Sequence, residues 1–121
     1  MRKYHSLEIW KRSHQFTLDV YGLTRSFPKE ELFVLTSQLR RSASSVPTNI
    51  AEGCGRKSNT ELSRFLQIAL GSAAESEYQI LLAKDLHYIN DASFKKMNSE
   101  ITEIKKMINA FIQHLPPDSK T

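Results

Sequence analysis

The stretch Leu35–Arg56, LTSQLRRSASSVPTNIAEGCGR, decides how the chain is read. Leu32, Leu39, Ala43, Val46 and Ile50, with Thr36 filling one place, step by 7, 4, 3 and 4 residues. That is helical spacing, and it continues on both sides of Pro47. An interior proline lacks the N–H that would bond the carbonyl of Ala43, and its ring crowds that carbonyl, at a cost of about 3 kcal/mol. The pattern predicts a helix bent at Pro47, with Ser44, Ser45, Thr48 and Asn49 supplying polar groups to the freed backbone. The bend either fits the helix to its neighbours or shapes a binding surface. Gly53 and Gly55 then stop the helix, since each can take a left-handed backbone cheaply.

Working outward, three more amphipathic segments flank this one. Before it, Ile9, Phe16, Val20, Leu23 and Phe27 form one stripe and Trp10, His14, Leu18 and Tyr21 a second. Together they are wider than one seam requires, which predicts burial against two neighbours or a second subunit. Ser6 is placed to cap this segment, with Glu8 in its first turn. After it, Ser58-Asn59-Thr60-Glu61 reads as a capping box opening a long helix whose small cluster Gly71-Ser72-Ala73-Ala74 permits close helix approach. Last, Phe94, Met97, Ile101, Ile104, Ile108, Phe111 and Leu115 step by 3, 4, 3, 4, 3 and 4, a seam for left-handed packing. Helices over about 7–26, 30–54, 59–88 and 91–115, joined by short turns, predict an all-α up-down-up-down four-helix bundle. Residues 1–121 form a single domain, with 116–121 as a mobile tail.

The bulk composition excludes several classes. With 121 residues, 40% hydrophobic and 25% charged, the chain is long enough for one core and too apolar for default disorder. One cysteine forms no internal disulfide, and no apolar run approaches the length of a membrane span, so the expectation is a cytoplasmic protein without a membrane partner. Net charge is +4 and unevenly placed: residues 1–57 hold ten Lys/Arg against five Asp/Glu, residues 58–121 seven against eight. That asymmetry permits a basic face whose field would grow with copy number in a homo-oligomer.

Several of these residues carry a family likeness. Arg40-Arg41-Ser-Ala-Ser-Ser-Val46-Pro47-Thr48-Asn49-Ile50-Ala51-Glu52-Gly53, then Ala69-Leu70-Gly71-Ser72 and Leu81-Leu82-Ala83-Lys84-Asp85-Leu86, resemble the bacterial four-helix-bundle family encoded in intervening sequences of 23S ribosomal RNA genes. The likeness spans about His5 to Leu115 and is densest between Leu35 and Tyr88. It implies a left-handed four-helix bundle assembled as a ring-shaped homopentamer. It also implies similarity to the basic accessory proteins of diversity-generating retroelements, which bind nucleic acid and a reverse transcriptase. Cys54 departs from the bulkier, often aromatic residue of that pattern, and Thr48 from the usual small one.

No catalytic constellation emerges. No glutamate has a histidine three residues on, so the paired Glu-x-x-His set of a di-iron bundle is missing. His5, His14, His87 and His114 are scattered, without zinc-like spacing to one another or to Cys54. Neither Cys54, which Arg56 alone would activate, nor Ser44 or Ser45 has an adjacent base. The expectation is a non-enzyme without metal or cofactor.

The cations are more informative. Lys11 and Arg12 beside Trp10 mix charge with an aromatic ring, as surfaces for single-stranded nucleic acid do. Gly53-Cys54-Gly55-Arg56-Lys57-Ser58 leads into a helix N-terminus, where free amides and charge suit a phosphate. Arg40 and Arg41, about 100° apart on a helix, cannot face the same way. One is assigned to structure, paired with Glu75 or Glu77, and one to phosphate, without the sequence distinguishing them. Lys11, Arg12, Arg40, Arg41, Arg56 and Lys57 are thus the candidate contacts for RNA or DNA; Pro47, Gly53, Gly55, Gly71, Glu75 and Glu77 are the candidate structural residues. A protein-binding scaffold, its basic residues spent on salt bridges and solubility, is the alternative.

Overall fold

Each amphipathic segment becomes a helix in the computed structural model, which describes residues 2–119. These are α1 (Glu8–Thr24), α2 (Leu35–Cys54), α3 (Asn59–Asp85) and α4 (Asp91–Gln113), with 3-10 turns at Tyr4–Ser6 and Lys29–Glu31 and no strand among the described residues. The core is where the periodicities meet. Phe16 and Val20 of α1, Leu39, Ala43, Val46 and Ile50 of α2, Leu66, Ala69, Ala73 and Ile80 of α3, and Ile101, Ile104 and Ile108 of α4 are all essentially inaccessible. Helix α2 packs between α1 and α3, and α4 packs on α3 and α1. Among the described residues no Cα of α1 lies within 8 Å of a Cα of α3.

The helix ends differ from the sequence expectation for local reasons. Ser6 does not cap α1: its hydroxyl donates to the Lys3 carbonyl at 2.7 Å, and Leu7 holds the cap position. Helix α2 starts at Leu35 because Lys29–Glu31 form a separate turn, which leaves Leu32 exposed and gives its core place to Leu35. At the start of α3 Ser58 accepts the Glu61 N–H at 3.1 Å, as a cap should. Helix α3 stops at Asp85 rather than near Tyr88. His87 adopts φ 65°, and the bonds Tyr88 N–H to Ala83 C=O and His87 N–H to Lys84 C=O, both 2.9 Å, close a Schellman motif.

The glycines exchange roles. None has a positive φ, so Gly53 and Gly55 do not end α2 by a left-handed turn. Gly53 instead lies inside α2, where a Cβ would sit 2.9 Å from Leu62 Cδ1 and 3.0 Å from Phe65 Cβ. Close approach of α2 and α3 is therefore built on Gly53 and on a seam of small hydroxyls: Ser42 lies 2.8 Å from Ser76, and Ser45 lies 2.8 Å from Ser72. Gly71, expected to serve tight packing, has nothing within 4 Å of where its Cβ would stand.

Helix α2 runs unbroken through Pro47. The carbonyl of Ala43, deprived of its helical partner, accepts the Thr17 hydroxyl of α1 at 3.1 Å; the same hydroxyl lies 2.8 Å from the Ser13 carbonyl of its own helix. The polar side chains around the proline do other work. Ser44 donates to the Arg41 carbonyl, and Asn49 to the Ser45 carbonyl and hydroxyl. Compensation for the proline thus comes from the neighbouring helix, not from the local hydroxyls.

Candidate nucleic-acid interface

Four of the six candidate cations are engaged within the protomer. Arg12 forms a bidentate pair with Glu100, Nε and Nη2 each donating at 2.9 Å, and that carboxylate raises the guanidinium pKa further. Lys11 lies 3.6 Å from Glu8. Arg56 donates to Glu52 at 2.9 Å and lies over the Phe65 ring, 4.7 Å from its centroid. Arg40 is half-buried, donating to the Thr24 hydroxyl at 2.8 Å with its guanidinium 4.9 Å from the Tyr21 centroid. Arg41 and Lys57 are exposed and have no carboxylate partner among the described residues.

The proposed partners of Arg40 and Arg41 are committed elsewhere. Glu77 accepts from Lys105 at 2.9 Å, and exposed Glu75 accepts from Gln79 at 3.3 Å. Between the two arginines the structure therefore separates the roles: Arg40 is braced against α1, and Arg41 faces solvent. Trp10 is equally engaged. Its indole stacks on His14 at 4.8 Å with planes 9° apart, and Tyr4 meets it edge-on at 5.1 Å. These rings border an open groove of about 540 Å³ that Ser44, Pro47 and Glu52 complete.

Contacts sort the cations by position. The start of α1 meets the ends of α2 and α4, since Arg2 N–H donates to the Cys54 carbonyl at 3.0 Å and Leu7 and Ile9 border a groove with Phe111 and His114. Lys11, Arg12, Arg56 and Lys57 belong to this end, whereas Arg41 lies about 20 Å from the end of α2 at roughly 1.5 Å per residue. Lys11 and Arg12 thus stand in the first turns of α1 and Arg56 and Lys57 beyond the end of α2, while Arg40 and Arg41 lie farther back along α2.

Three residues missed in the sequence reading, Thr60, Arg64 and Asp118, stand at the start of α3. Asp118 places its carboxylate on the first turn of α3, accepting the Asn59 N–H at 2.6 Å, the Thr60 N–H at 3.1 Å and the Thr60 hydroxyl at 2.6 Å. Residues 116–118, expected to be a loose tail, are tied down by these bonds; Lys120 and Thr121 lie outside the described residues. Thr60 and Arg64, four apart, share one face of α3, a spacing visible in the sequence once the helix start is known. The pairing with Asp118, which is 58 residues from Thr60, has no sequence signal.

Chemistry at Cys54 is closed off. The thiol is buried, and burial pushes its pKa up, only partly opposed by Arg2, so Arg56 does not make it a thiolate. Among the described residues no three His, Cys, Asp or Glu side chains come together as metal ligands. No helix of the described residues is long and apolar enough to cross a membrane.

A search of curated proteins returns no match. Among solved structures the fold is similar to a crystal structure of a protein of unknown function from the S23 ribosomal protein family of Bacteroides thetaiotaomicron. The TM-score is 0.81 at 28% identity, covering 87% of this chain and 98% of that one. The model of the 23S rRNA-intervening sequence protein family matches residues 5–110, and the chain belongs to that family.

Proposed function

We propose that this protein is a non-enzymatic assembly module: copies join through the outer faces of α1 and α3, and the assembly presents cations to the phosphate backbone of RNA or DNA. The observation that carries the reading is the placement of unburied apolar side chains. Leu18 and Tyr21 stand out from α1, and Ile68, Tyr78 and Leu81 from α3, two helices with no Cα atoms within 8 Å of each other. Two different apolar surfaces on one protomer favour head-to-tail association, which closes into a ring when the rotation allows. Five copies is the number the family resemblance implies. Gly71, exposed mid-helix at a cost of up to about 1 kcal/mol with nothing within 4 Å of where its Cβ would stand, fits the same reading.

Within each protomer we read the helices as an up-down-up-down, left-handed bundle with α2 bent at Pro47. Contacts between opposite ends of consecutive helices support the order: Thr24 at the end of α1 with Arg40 early in α2, and Ser42 early in α2 with Gln79 late in α3. The heptads of α4 support the hand.

For nucleic acid, the supporting set is Arg41 and Lys57 together with Arg64, all exposed and without a carboxylate partner among the described residues. Affinity for a single-stranded RNA oligonucleotide should fall steeply as salt rises. Arg41→Ala with Lys57→Ala should flatten the log–log slope by about 1.4, at roughly 0.7 for each phosphate no longer neutralised. An unchanged slope removes these residues from the interface, and no binding at low salt removes the nucleic-acid role.

One observation favours the scaffold alternative. Phe33 is 90% exposed, between exposed Leu32 and Val34, an apolar projection suited to a protein surface. A single protein partner captured by the wild type and absent with Phe33→Ala, without RNA binding, would select that reading.

A further inference from the structure

The groove of about 540 Å³ between α1 and α2 has two unlike walls. On α1 the wall is aromatic. Trp10 and His14, one turn apart, stack with planes 9° apart, and Tyr4 meets Trp10 edge-on. His14 is exposed, so an ordered stack of rings ends at the surface. On α2 the wall is polar: Ser44, Thr48 and Glu52, each one turn from the next, share one face of the helix. Ser44 donates to the Arg41 carbonyl at 3.2 Å and keeps its acceptor capacity. The Thr48 hydroxyl makes no hydrogen bond among the described residues. Glu52 commits Oε1 to Arg56 and leaves Oε2 to accept.

An apolar side chain laid in this groove would cover the rings and leave the polar wall unpaired. A planar heterocycle satisfies both walls, because its face stacks on rings and its edge carries hydrogen-bonding groups. The polar wall also selects among bases. A hydroxyl that can donate, Thr48, is followed one turn on by a carboxylate that only accepts, Glu52. Guanine offers the complement, a carbonyl oxygen beside two adjacent N–H donors, whereas adenine and cytosine offer a carboxylate one amino group and uracil one ring N–H. Cations stand where the flanking phosphates would run. Arg41, exposed and without a carboxylate partner among the described residues, precedes Ser44 by one turn, and Lys57 lies beyond the end of α2. Trp10 lies about 16 Å along α1 from Tyr21, at roughly 1.5 Å per residue, so the groove opens away from the apolar side chains assigned to assembly.

We propose that this groove takes one unpaired guanine base of a single-stranded nucleic acid, its face on the Trp10–His14 stack, its N–H edge on Glu52 and its carbonyl oxygen on Thr48. This rests on the nucleic-acid reading above and adds a base preference to a surface otherwise directed at phosphate.

Trp10 is the chain's single tryptophan, so its fluorescence reports on the groove directly. The full chain, as wild type, Glu52→Gln and Thr48→Leu, is titrated with guanosine monophosphate, adenosine monophosphate and, as a charge control, inorganic phosphate, with correction for nucleotide absorbance. Fluorescence anisotropy at fixed salt follows two short labelled uridine-rich RNAs that differ only in a central guanine or adenine. In wild type the guanosine nucleotide should quench Trp10 to saturation and inorganic phosphate should not. The guanine RNA should bind at least about fivefold tighter than the adenine RNA, as expected of one well-made contact to a base edge. In Glu52→Gln that ratio should fall below about twofold, and the charge freed on Arg56 cancels from it. Thr48→Leu, at an exposed helical position, should fill the groove and abolish the quenching with helicity retained. The proposal is overturned if Trp10 is indifferent to the guanosine nucleotide or responds equally to phosphate; RNA binding without base preference would then leave the phosphate reading standing. It is also overturned if the guanine preference survives Glu52→Gln, or the quenching survives Thr48→Leu. If guanosine monophosphate quenches Trp10 more tightly than adenosine monophosphate but neither RNA binds, the groove is upheld as a site for a free guanine nucleotide and the nucleic-acid reading fails.

Discussion

Replacing Thr17 with valine isolates the contact that lets α2 continue through Pro47. The two side chains have nearly the same shape, so packing at this buried position is kept and the hydroxyl alone is removed. The Ser13 carbonyl retains its helical partner, the N–H of residue 17. The Ala43 carbonyl does not, because Pro47 has no N–H to give it. Leaving a buried acceptor unsatisfied costs about 1–3 kcal/mol, against about 0.5–1.5 kcal/mol for a hydrogen bond whose partners find others. At roughly 3–5 °C per kcal/mol for a domain of this size, Thr17→Val should melt about 3–15 °C below wild type. The diagnostic quantity is the coupling with Pro47→Ala. Alanine restores the missing N–H, so in that background the hydroxyl becomes dispensable and Thr17→Val should cost at least about 1 kcal/mol less. Chemical denaturation of the four proteins at one fixed concentration gives the cycle. Equal losses in both backgrounds, within about 0.3 kcal/mol, would refute the claim that α1 compensates for the proline.

Other residues give independent tests. His87→Gly should stabilise by about 0.5–1 kcal/mol in thermal melts, because the left-handed conformation that closes α3 strains any side chain. Gly53→Ala should destabilise by about 1–3 kcal/mol, since its Cβ would press on Leu62 and Phe65, whereas Gly71→Ala should strengthen the helix and weaken assembly of copies seen by light scattering. The Asp118 carboxyl should titrate below the ordinary aspartate range in a carbon-detected NMR titration, held there first by the Thr60 hydroxyl and then by the Asn59 amide. A depressed folded pKa contributes stability that is present above the unfolded value and lost as pH falls through the folded one. The clasp of residues 116–118 on α3 should therefore loosen only in that acid window, and Asp118→Asn should abolish this pH dependence.

Legibility in the sequence followed the range of the interaction. Helix α4 could be read outright, because its heptads encode burial within the segment itself, and Met97, Ile101, Ile104 and Ile108 are indeed its buried residues. The Ser58 cap was equally local. The partner of the orphaned Ala43 carbonyl was not, since the nearby hydroxyls of Ser44 and Ser45 advertise a solution that Thr17, on another helix, supplies. Glycine meaning depended on neighbours too: Gly53, near the end of α2, and Gly71, in the middle of α3, both lie within helices, and only the structure shows which one another helix approaches. At the candidate interface, the six cations were chosen by proximity in sequence. Glu100, a residue of α4, takes Arg12 out of that set, and Asp118 brings Thr60 and Arg64 to notice. Long-range pairings of this kind leave no periodic trace.

Association of copies through α1 and α3 is the claim on which the functional reading stands, and multi-angle light scattering at micromolar concentration tests it most directly. The account predicts a discrete species of several 13.9 kDa chains for the wild type, and its dissociation by either Leu18→Glu on α1 or Ile68→Glu on α3 alone, with helicity retained. A wild-type mass of one chain, or a multimer indifferent to both substitutions, would contradict it.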